Sequence, residues 1–397
     1  MKLSQRALGI SPSPTLAIDS KAKQMKANGI KVISFGVGEP DFDTPENIKE
    51  AGIEAIKAGE TRYTPAGGTL KLKQAIVDKF LGENGLEYQT NQIAVSVGAK
   101  HSLYNAFQVL CEPGDEVILP APYWVSYIEQ IKLSGAQAVI VQARQDNDFK
   151  LTPQELEQAI TPRTRVLLLN SPSNPTGSVY TREELAALGE VILKHQITVI
   201  SDEIYEKLLY DGMGHVSIAS ISPELKESTI IVNGVSKAYA MTGWRIGYVA
   251  APAPVAKAIS DLQSHSTSNP TSIAQAASVA ALNGPQDAVY AMVEEFEKRR
   301  NYMLERVSAL PGITCPKPNG AFYLYPNVSA YFGKSYQGKL VNNATDLANL
   351  WLEEVQVAAV PGIAFGCDDN IRLSYATSME NIKEGLDRIE KFLAELQ

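Results

Sequence analysis

Cysteine and histidine are scarce in this chain of 397 residues, with three of the first and four of the second. Cys111, Cys315 and Cys367 are odd in number and far apart, so neither a disulfide framework nor a metal-binding pair is expected, and a reducing compartment is the default. None of the histidines has a partner at metal-ligand spacing. His-Glu-x-x-His and Gly-x-Ser-x-Gly patterns are absent, which disfavours metal-hydrolase and serine-hydrolase chemistry. No run of Lys and Arg is longer than Lys298-Arg299-Arg300, and 36 basic residues against 44 acidic ones leave a net charge of −8. Nucleic acids and anionic membranes select for concentrated positive charge, so neither is expected as a partner. No apolar run approaches the roughly 18 residues of a membrane span, and no secretory apolar block follows Met1-Lys2-Leu3-Ser4-Gln5-Arg6. A cytoplasmic protein is expected.

What is present is the composition of a globular chain: 45% hydrophobic and 20% charged residues exclude disordered and fibrous classes. The length suggests two or three domains. Short runs of Val, Ile and Leu alternate with longer amphipathic stretches, the sequence form of βαβ units and a parallel sheet. Val166-Leu167-Leu168-Leu169, Ile197-Thr198-Val199-Ile200 and Ile230-Ile231-Val232 start roughly 30 residues apart, one βαβ unit each, and read as neighbouring buried strands. Thr181 with Glu184, and Thr152 with Pro153 and Glu155, predict capped helix starts between strands. Further strands are expected at Ile93 to Val97, Val117 to Leu119 and Ala138 to Val141. After Gly284-Pro285 a long charged helix, Glu294 to Arg306, opens a different pattern. It predicts a large α/β domain over 41–290 and a smaller α+β domain over 291–397, with strands at Ala321 to Leu324, Val357 to Val360 and Ile371 to Tyr375. Helices are expected there near Asp346 to Glu354 and Met379 to Leu396.

In an open parallel sheet, ligands sit beyond the carboxyl ends of the strands. Here those ends are polar: Asn170 to Gly177 after the first run, Ser201-Asp202-Glu203-Ile204-Tyr205 after the second, Asn233-Gly234-Val235-Ser236-Lys237 after the third. Each has a plain structural reading. Asn174-Pro175-Thr176-Gly177 makes a turn, Asp202 caps a helix, Tyr205 packs its ring, and Lys237 is a solvated surface lysine. At successive strand ends, the combination of amide, acid, phenol, hydroxyl and amine makes those separate readings uneconomical.

Ser236-Lys237-Ala238-Tyr239-Ala240-Met241-Thr242-Gly243-Trp244-Arg245-Ile246-Gly247 and Asn174-Pro175-Thr176-Gly177 resemble the signatures of class I aminotransferases that use pyridoxal phosphate. The likeness runs essentially end to end, taking in Gly36-Val37-Gly38-Glu39-Pro40-Asp41-Phe42, Tyr63-Thr64-Pro65, Pro122-Tyr123-Trp124 and Arg372-Leu373-Ser374. In detail it is similar to the bacterial and plant aspartate aminotransferase subgroup that includes prephenate aminotransferases. The resemblance implies fold type I of the pyridoxal-phosphate enzymes, with an N-terminal arm over 1–40 packing against the small domain. It implies that Lys237 holds the cofactor as an imine and then serves as mobile base, and that Asp202 pairs with the pyridine nitrogen. Asn174 and Tyr205 match donors to the phenolic oxygen, and Trp124 matches the stacking ring. Ser236, Arg245 and the Gly98-Ala99-Lys100 turn match the phosphate site, and Tyr63 reaches the phosphate of a neighbouring subunit, which implies a homodimer with shared sites. On the substrate side, Arg372 forks onto the α-carboxylate, helped by the backbone of Gly38, with Trp124 and Asn174 alongside. Lys100 takes the distal carboxylate, and Thr15, in the Ser13-Pro14-Thr15 segment, adds a substrate contact.

No metal is called for, and the Gly-x-x-x-x-Gly-Lys-Ser/Thr nucleotide loop is missing. The expected activity is ping-pong transfer of the amino group between aspartate or glutamate and a 2-oxo acid, with 2-oxoglutarate, oxaloacetate and prephenate as candidates. Two alternatives stand: a lyase on the same fold, and a non-catalytic module related to aminotransferase-like regulators. The second would need a basic helix-turn-helix segment, and the aminotransferase-like region fills nearly the whole chain.

Overall fold

The structure, a computed structural model, describes residues 1–12 and 14–397. A seven-stranded sheet runs in the order 93–96, 247–250, 229–234, 198–202, 164–170, 116–121, 137–142. Only Gly247–Ala250 runs against the others; it is antiparallel to both its neighbours, and the remaining pairs are parallel. Thr229–Gly234 is buried along its whole length and Thr198–Asp202 from Val199 onward. Helices cover both faces of such strands, which is why they read as continuous apolar runs instead of alternating ones.

The local start signals act as expected. Thr181 accepts from the amide of Glu184, whose carboxylate accepts from the amide of Thr181, and helix Arg182–His195 follows. The same capping box at Thr152 and Glu155, with Pro153 in the first turn, opens Pro153–Ala159. The long helix starts earlier than its charged stretch suggests, at Asp287, because Val289 and Met292 extend its buried stripe toward Gly284.

In the C-terminal third, Val357 to Val360 is two short strands. Val357–Ala358 pairs in parallel with Ile33–Ser34, whereas Val360–Pro361 pairs antiparallel with Ile371–Ser374. Ala359 lies at the switch, so one apolar run serves two sheets. Helix Pro14–Ala27 packs against both short strands. Ile371–Ser374 also pairs with Tyr323–Leu324, completing a three-stranded sheet beside a core that includes Phe296, Phe322, Trp351 and Tyr375. Among the described residues, no helix is long and apolar enough to cross a membrane.

Candidate active site

Register aligns Asn170 with Asp202 and Asp202 with Val232, so neighbouring strands end together and release their polar segments at one edge of the sheet. A cavity of about 620 Å³ opens there. Lys237, Asp202, Tyr205, Asn174, Trp124, Ser236, Arg245, Ala99, Lys100, Gly38, Arg372 and Thr15 all line it. Of the Ser13-Pro14-Thr15 segment, Ser13 lies outside the described residues.

Asp202 is 3% exposed and, among the described residues, has no ion-pair partner. One carboxylate oxygen accepts from the Tyr127 hydroxyl at 2.7 Å and the other from the Ile204 amide at 3.2 Å. Burial pushes its pKa up to about 6, with Tyr127 and the amide working in the other direction. The Lys237 amine donates to the Gly38 carbonyl at 2.6 Å. Burial lowers its pKa to about 8; Glu39 acts against this, whereas Arg245 and Arg372 add to it. A lysine tuned this way carries an appreciable share of neutral amine near neutral pH, the form that acts as nucleophile or base.

Arg372 is held in place by its own chain. It donates to Asn174 Oδ1 at 3.0 Å and to the Gly36 carbonyl at 2.9 Å, while its Nε is buried without a partner. Tyr205 meets the Tyr323 hydroxyl at 2.9 Å. The Trp124 ring stands edge-on to Tyr127, centroids 5.3 Å apart, and the Lys100 ammonium lies 4.8 Å from its centre. Burial, and secondarily Arg245, lower the pKa of Lys100.

Gly98 precedes helix Ala99–Leu110 at φ 84°, and no side chain caps that helix. A Cβ there would strike the Arg245 guanidinium, so glycine is what lets the arginine lie against the helix start. Backbone amides and a guanidinium together form an anion site of phosphate type. Two of the expected residues are not in the lining: Gly98, which lies against the Arg245 guanidinium, and Tyr63, which is 90% exposed.

Tyr127 and Tyr323 belong to the site without a motif having marked them. Tyr127 stands three residues after Trp124, and Tyr323 sits in the run Ala321-Phe322-Tyr323-Leu324-Tyr325, where an aromatic reads as core. Thr242 lies inside the Ser236-to-Gly247 signature but had no role there: it donates to Glu39 at 2.6 Å and its carbonyl accepts from Arg245 at 2.7 Å, holding the arginine in place.

A family model for class I and II aminotransferases matches residues 30–389. The chain is similar to an aspartate aminotransferase of Geobacillus stearothermophilus, 54% identical over 99% of both chains. It is also similar to an aspartate/prephenate aminotransferase of Nitrosomonas europaea, 49% identical over 99% of this chain and all of that one. The crystal structure of the Rhizobium meliloti aspartate aminotransferase superimposes with a TM-score of 0.97 over the whole of both chains at 46% identity.

Proposed function

The chain belongs to the class I and II aminotransferases, and on that premise we propose that it moves the amino group of aspartate or glutamate to a 2-oxo acid in two half-reactions. Enzymes of this class use pyridoxal phosphate, and the residues present fit it. Gly98 leaves room for Arg245 at a helix start, Asp202 is a buried acid with no ion-pair partner among the described residues, and Lys237 is a lysine of lowered pKa that feels the charges of both Arg245 and Asp202. When bound, the cofactor supplies an electron sink that makes the substrate α-carbon acidic.

This chain's residues do the rest. Asp202 holds a proton on the pyridine nitrogen, which gives its buried charge the partner it lacks. Tyr205 and Asn174 bear on the phenolic oxygen and Trp124 on the ring face. Ser236, Arg245 and the amides of Ala99 and Lys100 grip the phosphate. Arg372 takes the α-carboxylate, and Lys237 moves a proton at the α-carbon.

The observation that carries the acidic substrate is Lys100, a further cation lining the same cavity as Arg372 and lying against the Trp124 ring. A distal carboxylate entering this cavity loses hydration and needs such a partner. Lys100→Ala should lower kcat/KM for aspartate about 10- to 100-fold, the loss expected for a charged hydrogen bond, and spare alanine. Arg372→Ala should depress both substrates. An equal loss for aspartate and alanine in Lys100→Ala would remove Lys100 from the substrate site. Prephenate joins the acceptors on the strength of the relatives that carry both names, and a panel of 2-oxo acids tests it.

Tyr63, exposed and outside its own chain's cavity, supports a homodimer in which it completes the neighbouring phosphate site. The division into 1–40, 41–290 and 291–397 is part of the same reading, supported by the pairing of Ile33–Ser34 with Val357–Ala358. So is a cytoplasmic location, supported by the free cysteines.

A further inference from the structure

Tyr323 is 0% exposed, lines the cavity and touches two of its working groups. Its hydroxyl is 2.9 Å from that of Tyr205, the two rings standing edge to face with centroids 6.0 Å apart. Its ring also lies beside the Arg372 guanidinium, whose carbon is 4.5 Å from the ring centre. The backbone fixes this arrangement: Tyr323 pairs with Ser374 in the strand that carries Arg372, and the Tyr375 amide donates to the Phe322 carbonyl at 3.0 Å.

Counting protons gives the contact a direction. A phenol has one proton and two acceptor lone pairs. If Tyr205 gives its proton to the cofactor's phenolic oxygen, its contact with Tyr323 survives only with Tyr323 as donor. Burial raises the pKa of Tyr323 above that of an ordinary phenol, so its proton is always there to give. We propose that Tyr323 is a positioning residue with two tasks. Its hydroxyl donates to Tyr205 and thereby aims the Tyr205 proton at the cofactor, and its ring is the platform that holds the Arg372 guanidinium in place for the substrate carboxylate. This rests on the reading of Tyr205 given above.

The test is an absorbance pH titration of the holoenzyme's visible cofactor band, with steady-state kinetics, in wild type, Tyr323→Phe, Tyr205→Phe and the double variant. Donation to the phenolic oxygen favours the deprotonated form of the bound cofactor. Tyr323→Phe should therefore move the band's midpoint upward by about 0.5 pH units and lower kcat about 3- to 10-fold, with KM for aspartate within about twofold. Because Tyr323 acts through Tyr205, the double variant should have the midpoint of Tyr205→Phe alone. Tyr323→Leu, which removes the platform as well, should in addition raise KM about 10-fold. If the leucine variant fails to fold by circular dichroism, the phenylalanine pair decides the matter alone. An unmoved midpoint in Tyr323→Phe, or an equal shift with and without Tyr205, would overturn the proposal while leaving the site reading intact. A wild-type protein that forms no pH-dependent visible band with pyridoxal phosphate would overturn the site reading and this inference with it.

Discussion

Asp202 and Glu203 are neighbours in the chain and both are buried, at 3% and 1% exposure, yet they face opposite ways into different surroundings. Glu203 is fully partnered. It accepts from Ser201 at 2.9 Å and Ser217 at 2.6 Å, and meets the His215 ring at 2.9 Å. Beside it Glu206 is ion-paired with Lys79 and accepts from Asn84. Burial alone would raise the pKa of Glu206, but Lys79, His215 and Lys207 hold it down at about 2. Asp202 receives only neutral donors, with Lys237 a minor influence, and its pKa rises. Glu203, Glu206 and His215 are the one group among the described residues with metal-ligand potential, and there the Lys79 ammonium already supplies the positive charge. A buried acid that brings its own cation is costly to break from one end, whereas one left without a cation is a candidate place for a cationic group to bind.

The largest effect should separate these two acids. Asp202→Asn should slow α-proton removal in single turnovers about 100- to 1000-fold, the scale of losing one preorganised electrostatic group. Glu203→Gln should stay within a few-fold of wild-type turnover and lower the melting temperature instead. Equal rates for Asp202→Asn and wild type would make Asp202 a structural acid like its neighbour.

Of similar free energy is the effect on the satisfied side. Lys79→Met strands Glu206 in the interior, and breaking a buried pair from one end costs about 3 to 5 kcal/mol. Denaturant unfolding should show that loss near neutral pH. A depressed pKa means that the Glu206 contribution is fully present above its ordinary 4.5 and fades as pH falls toward about 2. The deficit of the variant should therefore shrink in acid. A Lys79→Met protein as stable as wild type at pH 7 would contradict the assignment.

The smallest effect concerns Lys237 in the cofactor-free protein. Its folded pKa of about 8 lies below the ordinary 10.5, so between these values the unfolded chain binds more protons and stability rises with pH. The burden of burying the charged amine is full below about pH 8. Cofactor-free wild type should accordingly gain melting temperature relative to Lys237→Met between pH 8 and 10, and a constant difference would show that the amine is not strained.

What was legible in the sequence was local or carried by spacing. The capping residues at Thr152 and Thr181 announce their helices because their partners lie three positions away. Successive strand ends gather Asn174, Asp202, Tyr205, Ser236 and Lys237 because parallel strands one unit apart terminate together. The splitting of Val357 to Val360 was hidden, since Ile33, more than three hundred positions earlier, selects the first half. Tyr127 and Tyr323 were hidden for another reason: only the three-dimensional neighbours of their hydroxyls distinguish them from core rings. Tyr63 was visible as a motif, but a motif does not tell exposure, and its ring stands in solvent outside the cavity.

The anchoring of Arg372 bears on how such a chain matures. One of its hydrogen bonds spans 336 residues to Gly36, and another spans 198 to Asn174. During synthesis every strand of the seven-stranded sheet emerges before Arg372 does, so a nascent chain can lay down that sheet and still lack the arginine proposed to take the substrate carboxylate. Contacts this distant in sequence form late, because the intervening loop must close first. A ligand that binds only the finished arrangement stabilises it by an amount that grows with the logarithm of its concentration over its dissociation constant. Substrate and cofactor thus act on the folding equilibrium as selectors of completed molecules, and partly folded ones receive none of that stabilisation.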